Sequence, residues 1–209
     1  KIEKSLMNLK TDSIDLLYFH HCNFGNQDEY FDSALEILKL FQDQGKIRFI
    51  GLSDWSNKRI IKYINKCDPD VVQPYRNIMD DNYEKSGLKK IIKTNDLGVC
   101  FFSPLKHGLL TGKYKTPTKF KDGDHRSRIK DFHNPEILKK VLLSCEKLKE
   151  RFSHHKNPIM YGVVNALFFD SPTGCALLGQ RNVSQVNTAS LLGQLLSEED
   201  SNWVKSLYK

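Results

Sequence analysis

Five short apolar runs in this sequence each end in polar side chains that can donate or accept hydrogen bonds. If the runs are parallel strands of one sheet, these side chains meet at the carboxyl edge of the sheet, where β/α barrels build their active sites. At any single position, a turn or capping role is at least as common as a chemical one. The polar residues in question are His20, Ser53 with Asp54, Gln73, Ser103, and Gly179 with Gln180 and Arg181.

The elements that would position these residues alternate between two apolar periodicities. Strands are predicted over 14–20, 47–52, 70–73, 99–102 and 176–178. Helices are predicted over 1–10, 29–44, 56–66, 83–94, 135–153, 157–169, 183–192 and 197–208. Strands that alternate with helices at this spacing indicate parallel βαβ units. Continuously apolar strands further indicate that both faces of the sheet are covered.

The segment 104–134 departs from this alternation. It is rich in Lys, Gly, Pro and Asp, so we predict a surface loop. Loops of this length without their own secondary structure are commonly functional lids or disordered segments.

Composition sets the class of protein. A chain of 209 residues with 39% hydrophobic residues supports a single globular domain over 1–209 without disulfides or metals. No apolar run approaches the ~20 residues of a membrane span. The five cysteines are widely spread with no CxxC pair, which indicates free thiols, several of them in core strands, and a reducing cytoplasm.

The net charge of +7 leaves two interpretations open. The lysines are spread over predicted helix faces, which is typical of a solvated surface. The same charge would mildly attract an anionic ligand. A nucleic-acid binder would be expected to show a basic cluster interleaved with aromatic residues, so we predict no nucleic-acid partner.

Several motifs resemble those of one enzyme family, the aldo-keto reductases. The run SLMNLKTDSIDL over 5–16 resembles the family signature SL-x-x-L-x-T-D-x-I-D-L, and GKIRFIGLS over 45–53 resembles GKIRxIGxS. VVQ over 71–73 and SPLKHGLLTGKY over 103–114 match two further signatures. GQRN over 179–182 with Gln185 resembles the segment that binds the phosphate of the cofactor.

This resemblance implies an α/β fold, the (β/α)8 barrel, of which the chain covers roughly the last five β/α units. It implies an NADPH-dependent oxidoreductase whose partner is a small carbonyl substrate. We predict no metal site, because the adjacent residues His20, His21 and Cys22 would point to opposite sides of an extended chain. The family's catalytic set is Asp, Tyr, Lys and His. Its first three members would precede residue 1, and we therefore expect the chain alone to be inactive.

The resemblance also implies roles for individual residues. His20 would hydrogen-bond the substrate carbonyl. Ser53, Asp54 and Gln73 would hold the nicotinamide carboxamide, although the family usually has Asn at the position of Asp54. Phe102 would stack on the nicotinamide ring in place of a Tyr. The backbone of Ser103, Pro104, Leu105 and Gly108 would wrap the pyrophosphate. The remaining residues implied in cofactor binding are Gly179, Arg181, which would bind the 2′-phosphate, and Gln185, which would lie by the adenosine.

Two alternatives remain at this stage. Some barrels of this family are non-catalytic nicotinamide-binding regulatory subunits, as in the β-subunits of voltage-gated potassium channels. The departures from the family pattern at Asp54, Thr188 and Ala189 favour that alternative. A basic nucleic-acid binder is a weaker one.

Overall fold

Strands and helices alternate along the first part of the chain, as the sequence patterns predict. The computed structural model describes residues 2–80 and 82–209, which form two compact units. The first unit contains residues 2–75 and 82–100, and the second contains residues 76–80 and 101–209.

The first unit is a parallel sheet with helices between its strands. β1 pairs with β2, β2 with β3, and β3 with β4, all in parallel. Its elements are α1 (Ile2–Leu9), β1 (Ile14–His20), a 3₁₀ turn (Asn26–Asp28), α2 (Phe31–Asp43), β2 (Ile47–Asp54), α3 (Asn57–Cys67), β3 (Val71–Pro74), α4 (Asn82–Lys85), α5 (Leu88–Thr94) and the first residues of β4 (Gly98–Phe101).

The core of this unit lies where α3 packs on the sheet. Leu52 of β2, Ile60 of α3 and Val72 of β3 are all 0% exposed. Burying an aliphatic side chain of this size stabilises a fold by about 1.5–3 kcal/mol. This apolar contact fixes the strands whose carboxyl ends carry the polar residues.

Two sequence predictions for this unit are wrong in detail. The single helix predicted over 83–94 is two helices, because Gly87 at φ 82° interrupts it. The side chains of β1 are only partly buried, so its two faces are not covered as predicted. β1 lies at the edge of the sheet and pairs only with β2 among the described residues, and an edge strand has fewer neighbours.

The second unit is built mainly from helices. Its regular elements are α6 (Pro135–Arg151), α7 (Pro158–Asn165), β5 (Cys175–Ala176), α8 (Val183–Ala189) and α9 (Glu198–Ser206). The N–H of Leu177, just after β5, donates to the carbonyl of Phe101 at the end of β4 over 2.8 Å. α6 begins at Pro135, where the Asn134 side chain accepts the N–H groups of the first turn.

The segment 104–134 is more ordered than a surface loop. It contains three 3₁₀ helices, Lys106–Thr111, His125–Arg128 and Lys130–His133. Phe132 is 0% exposed and packs with Leu109, Leu138 and the rings of Tyr114 and Phe120. The prediction of a surface loop agrees with the exposure of most residues over 113–130 and is wrong for Leu109, Phe120 and Phe132, which meet in one cluster although their irregular spacing gave no sign of it.

The thiols lie elsewhere than predicted. All five cysteines are free, and four are buried. Of the buried four, only Cys100 lies in a strand, since Cys22 follows β1 and Cys67 and Cys145 lie in helices. Burial raises the pKa of Cys22 and Cys67 to about 12 and that of Cys145 to about 11, so these thiols stay protonated. None of the helices among the described residues is both long and apolar enough to cross a membrane.

Candidate active site

Three of the predicted site residues lie side by side across three strands. His20 of β1 is in register with Ser53 of β2, and Ser53 is in register with Gln73 of β3. Neighbouring parallel strands are about 4.8 Å apart, so this row is a compact set of polar groups. The Ser53 hydroxyl donates to the Gln73 amide oxygen over 3.1 Å. The set brings together an imidazole, a hydroxyl and a primary amide.

The environments within this row differ in a useful way. Ser53 is buried, Gln73 is half-buried and His20 is exposed. A buried hydroxyl bonded to an amide is held in place, and the amide NH2 and the hydroxyl oxygen can still bind a carboxamide, which offers one donor group and one acceptor. The row therefore suits an amide-bearing ligand beside an imidazole.

Asp54 has a different environment from the neighbouring Ser53. Its carboxylate, 3% exposed, accepts the Cys22 N–H over 2.8 Å and the Ser56 N–H over 2.7 Å. The Arg59 guanidinium lies 3.8 Å away. Each of the two carboxylate oxygens therefore accepts a backbone N–H group. Its role toward a carboxamide stays a prediction, and its observed contacts fix the turn that follows β1.

This turn begins directly after His20, the last residue of β1. The His21 N–H donates to the Ser53 carbonyl over 2.8 Å, and His21 adopts φ 68°. Together with the bond from Cys22 to Asp54, this ties the end of β1 to the end of β2 beyond the last strand pair. The spacing of Asp54 and Cys22 in the sequence gave no signal of this contact.

Replacing Asp54 with alanine is expected to lower the free energy of unfolding by about 1–3 kcal/mol, because the buried Cys22 N–H and the partly buried Ser56 N–H lose their acceptor. Asp54→Asn should lose about half as much, since the amide keeps one oxygen and turns a donor toward the other N–H. Urea unfolding measures both. Asp15→Asn is the matched control, because the Asp15 side chain is 90% exposed. Equal stability of Asp54→Ala and the wild type would contradict the anchoring role.

A second group of predicted residues lies in the other unit, in the turn that follows β4. Phe102 is half-buried, and its carbonyl accepts the Arg76 N–H over 3.1 Å. Pro104 is buried and Leu105 is half-buried. Ser103 and Gly108 have φ values of 57° and 90°. Two N–H groups are already bonded within this turn, since Lys106 donates to the Ser103 carbonyl and Gly108 donates to the Leu105 carbonyl, each over 3.0 Å. Backbone N–H groups that a turn leaves unbonded can form a concavity that binds anions.

A third group surrounds the start of α8. Gly179, Arg181 and Gln185 are all exposed. The Gln185 side-chain oxygen accepts the Arg181 N–H over 2.7 Å, and Asn182 accepts the Gln185 N–H over 3.0 Å. Gln185 therefore helps to shape the segment that presents Arg181. A role beside an adenosine stays a prediction.

The charge of Arg181 acts on one acidic residue, Asp124. Hydrogen bonds from the Arg126 side chain and backbone hold the pKa of Asp124 far below its usual range, and the charge of Arg181 contributes to the same shift. The Arg126 side chain also donates to the Tyr114 hydroxyl over 2.8 Å. Arg126 therefore joins Asp124 and Tyr114 in one hydrogen-bonded group.

Sequence reasoning missed several polar residues that the structure brings together in this unit. Lys106, Asp80 and Asp131 form one ion cluster, and Arg76 pairs with Asp170. Their types are ordinary for surface residues, and nothing in their spacing marks them as buried partners. Within residues 2–80 and 82–209, no cluster of His, Cys, Asp and Glu is arranged to hold a metal ion.

Comparison with solved structures defines the class of fold. The chain is similar to glycerol dehydrogenase AKR11B4 from Gluconobacter oxydans, with a TM-score of 0.81 and 24% identity over 99% of this chain and 62% of that one. It is also similar to the aldo-keto reductase AKR11C1 from Bacillus halodurans, with a TM-score of 0.71 and 21% identity over all of this chain and 66% of that one. At these identities the likeness concerns the fold, an α/β barrel architecture with a parallel sheet.

Sequence comparison gives the family. The profile of the Aldo/keto reductase family matches residues 1–209. The chain is 27% identical to aldo-keto reductase YhdN of Bacillus subtilis over 99% of this chain and 62% of that protein. It is 30% identical to aldo-keto reductase yakc [NADP(+)] of Schizosaccharomyces pombe over 68% of this chain and 42% of that protein. The chain belongs to the aldo/keto reductase family, and it spans about three fifths of the length of YhdN.

Proposed function

We propose that this chain is part of a cytoplasmic, NADPH-dependent oxidoreductase that reduces aldehydes or ketones to alcohols. The observation that carries the proposal is the in-register row of His20, Ser53 and Gln73 in a member of this family. NADPH supplies the hydride for such a reduction. A proton taken up at the carbonyl oxygen completes the alcohol.

The polar residues at the carboxyl ends of β1, β2 and β3 would suit the nicotinamide end of the cofactor. Ser53 and Gln73 supply the donor and acceptor groups that a carboxamide needs, and Asp54 holds the adjoining turn. His20, exposed at the end of β1, would donate a hydrogen bond to the substrate oxygen, where negative charge develops as hydride arrives.

The residues after β4 and around the start of α8 would suit the rest of the cofactor, chiefly its phosphate groups. The turn that begins at Ser103 and includes Pro104, Leu105 and Gly108 would bind the pyrophosphate through backbone N–H groups. Arg181 would bind the 2′-phosphate, because a planar guanidinium can form two parallel hydrogen bonds to it. Phe102 would contact the nicotinamide ring. Gly179 would allow close approach to the nucleotide, and Gln185 would contact the adenosine.

Two further observations support the choice of cofactor and the cellular setting. The name of the S. pombe relative includes NADP(+). All five cysteines are free, which fits a reducing compartment. The non-catalytic alternative becomes an outcome of the test below.

Replacing Arg181 with methionine tests the cofactor assignment in protein expressed from the complete gene. Loss of a charge-assisted contact of about 1.5–3 kcal/mol should raise the Kd for NADPH by about tenfold or more and leave the Kd for NADH unchanged. Nicotinamide fluorescence measures both constants, and NADPH oxidation with simple aldehydes measures turnover.

Arg48→Met is the matched control, because Arg48 is exposed at the start of β2, away from its carboxyl end. Wild-type protein that binds neither NADPH nor NADH would contradict the proposed function. Tight NADPH binding with no turnover of any aldehyde or ketone would favour the regulatory alternative.

A further inference from the structure

The ammonium group of Lys106 is bound by two carboxylates. Lys106 is 7% exposed, and its Nζ lies 2.9 and 3.0 Å from the two carboxylate oxygens of Asp80 and 2.8 Å from Asp131. Lysine is almost never this buried unless it is paired. Burial alone lowers the pKa of Lys106, and the hydrogen bonds with Asp131 and Asp80 outweigh that effect, so its pKa lies above the usual value.

The three charged groups come from three separate segments of the second unit. Asp80 follows the segment that leaves β3, Lys106 lies in the turn after β4, and Asp131 belongs to the 3₁₀ helix Lys130–His133. Asp80 is itself fixed, because Asn77 donates to its carboxylate over 2.9 Å and accepts its N–H over 3.0 Å. Asn77 is 2% exposed, so the anchor is part of the core.

The turn that Lys106 belongs to is conformationally strained. Ser103, Lys106 and His107 adopt φ values of 57°, 48° and 56°, and Gly108 follows at 90°. Residues other than glycine occupy this region at a cost and stay there when the surroundings hold them. The ion cluster therefore lies at the strained part of the turn.

We propose that Lys106 is a positioning residue that holds the 103–108 turn in the shape that binds the cofactor pyrophosphate. The three contacts of its ammonium with Asp80 and Asp131 direct it toward these carboxylates and away from a role as a phosphate ligand. The proposal rests on the proposed function, since it concerns how the same nucleotide is bound.

A positioning role and a phosphate contact predict different results. NADPH and NADH share the pyrophosphate and differ in the 2′-phosphate. A distorted turn should weaken the binding of NADPH and of NADH by the same factor. Loss of a 2′-phosphate ligand should weaken the binding of NADPH alone. The nicotinamide end is formed by other residues, so turnover at saturating cofactor should persist.

Replacing Lys106 with methionine, which is also unbranched but one atom shorter and uncharged, should raise the Kd of both NADPH and NADH by about tenfold. The KM for cofactor should rise while kcat at saturating cofactor stays within about twofold. Fluorescence titration and steady-state kinetics measure these values at a temperature at which circular dichroism shows the variant folded. Lys115→Met is the matched control, because Lys115 is exposed in the same segment.

Asp131→Asn provides a second variant that keeps the pair between Lys106 and Asp80. It should raise the Kd values of NADPH and NADH together, by a smaller factor than Lys106→Met does. If Lys106→Met does not fold, an unchanged Kd in Asp131→Asn overturns the proposal. An unchanged Kd in folded Lys106→Met, or a loss confined to NADPH, also overturns it. Wild-type protein that binds neither cofactor defeats the proposed function instead.

Discussion

Replacing His20 with asparagine is expected to lower kcat for carbonyl reduction by about 10²-fold or more, the usual effect of removing a positioned hydrogen-bonding group at a reacting oxygen. His20 lies at the carboxyl end of β1, in register with Ser53. Its imidazole would stabilise the charge that develops on the substrate oxygen, which is largest in the transition state. The Kd for NADPH should therefore change little while kcat falls.

The neighbouring His21 offers a matched control for this prediction. The two imidazole rings lie 4.3 Å apart, and both residues are exposed. His21 adopts φ 68°, a conformation that asparagine tolerates well, so His21→Asn should fold and keep most of the activity. Stopped-flow measurement of NADPH oxidation separates the two variants. Equal losses in both would contradict a specific role for His20.

Replacing Arg76 with methionine is expected to lower the free energy of unfolding by about 3–5 kcal/mol, because it leaves a buried charge without its main partner. Arg76 is 4% exposed and donates to the Asp170 carboxylate over 2.6 Å and to the Leu167 carbonyl over 3.0 Å. Its guanidinium also lies 4.4 Å from the centre of the Phe101 ring. Lys205, at 3.3 Å, would still pair with Asp170.

A double variant shows whether the buried charge causes this loss. Arg76→Met with Asp170→Asn removes both charges, so it should be more stable than the sum of the two single losses predicts. Arg151→Met is the matched control, because Arg151 pairs at the surface with Glu199, whose side chain is 83% exposed. Its loss should be far smaller than that of Arg76→Met, because exposed ion pairs contribute little to stability. Urea unfolding of the four variants measures these differences, and purely additive losses would contradict the account.

Much of the fold follows from the spacing of apolar residues. The strand over 14–20 has the predicted bounds, and each of the five predicted strands overlaps an observed one, because short apolar runs bounded by polar or turn residues fit strands. The ends of helices were less well predicted. Gly87 divides the helix predicted over 83–94, and the helix predicted over 157–169 ends at Asn165. Such ends depend on local backbone turns more than on periodicity.

The positions of some candidate site residues could be predicted from the sequence, and the contacts of others could not. His20, Ser53 and Gln73 each follow an apolar run, so their place at the carboxyl ends of neighbouring strands could be read from the sequence. The backbone contacts of Asp54 could not, because its partner Cys22 lies 32 residues earlier in a turn. Residue type alone does not distinguish a carboxylate that binds a ligand from one that caps a turn.

The family, the alternation of strands and helices, and the polar residues at the strand ends can be derived from the sequence, because they depend on local periodicity and short motifs. Which charges are buried together becomes visible in the folded chain alone. Lys106 meets Asp80 across 26 residues, and Arg76 meets Asp170 across 94. Charged residues in turns carry no periodic pattern, so their partners are set by how distant segments pack and not by the sequence around them.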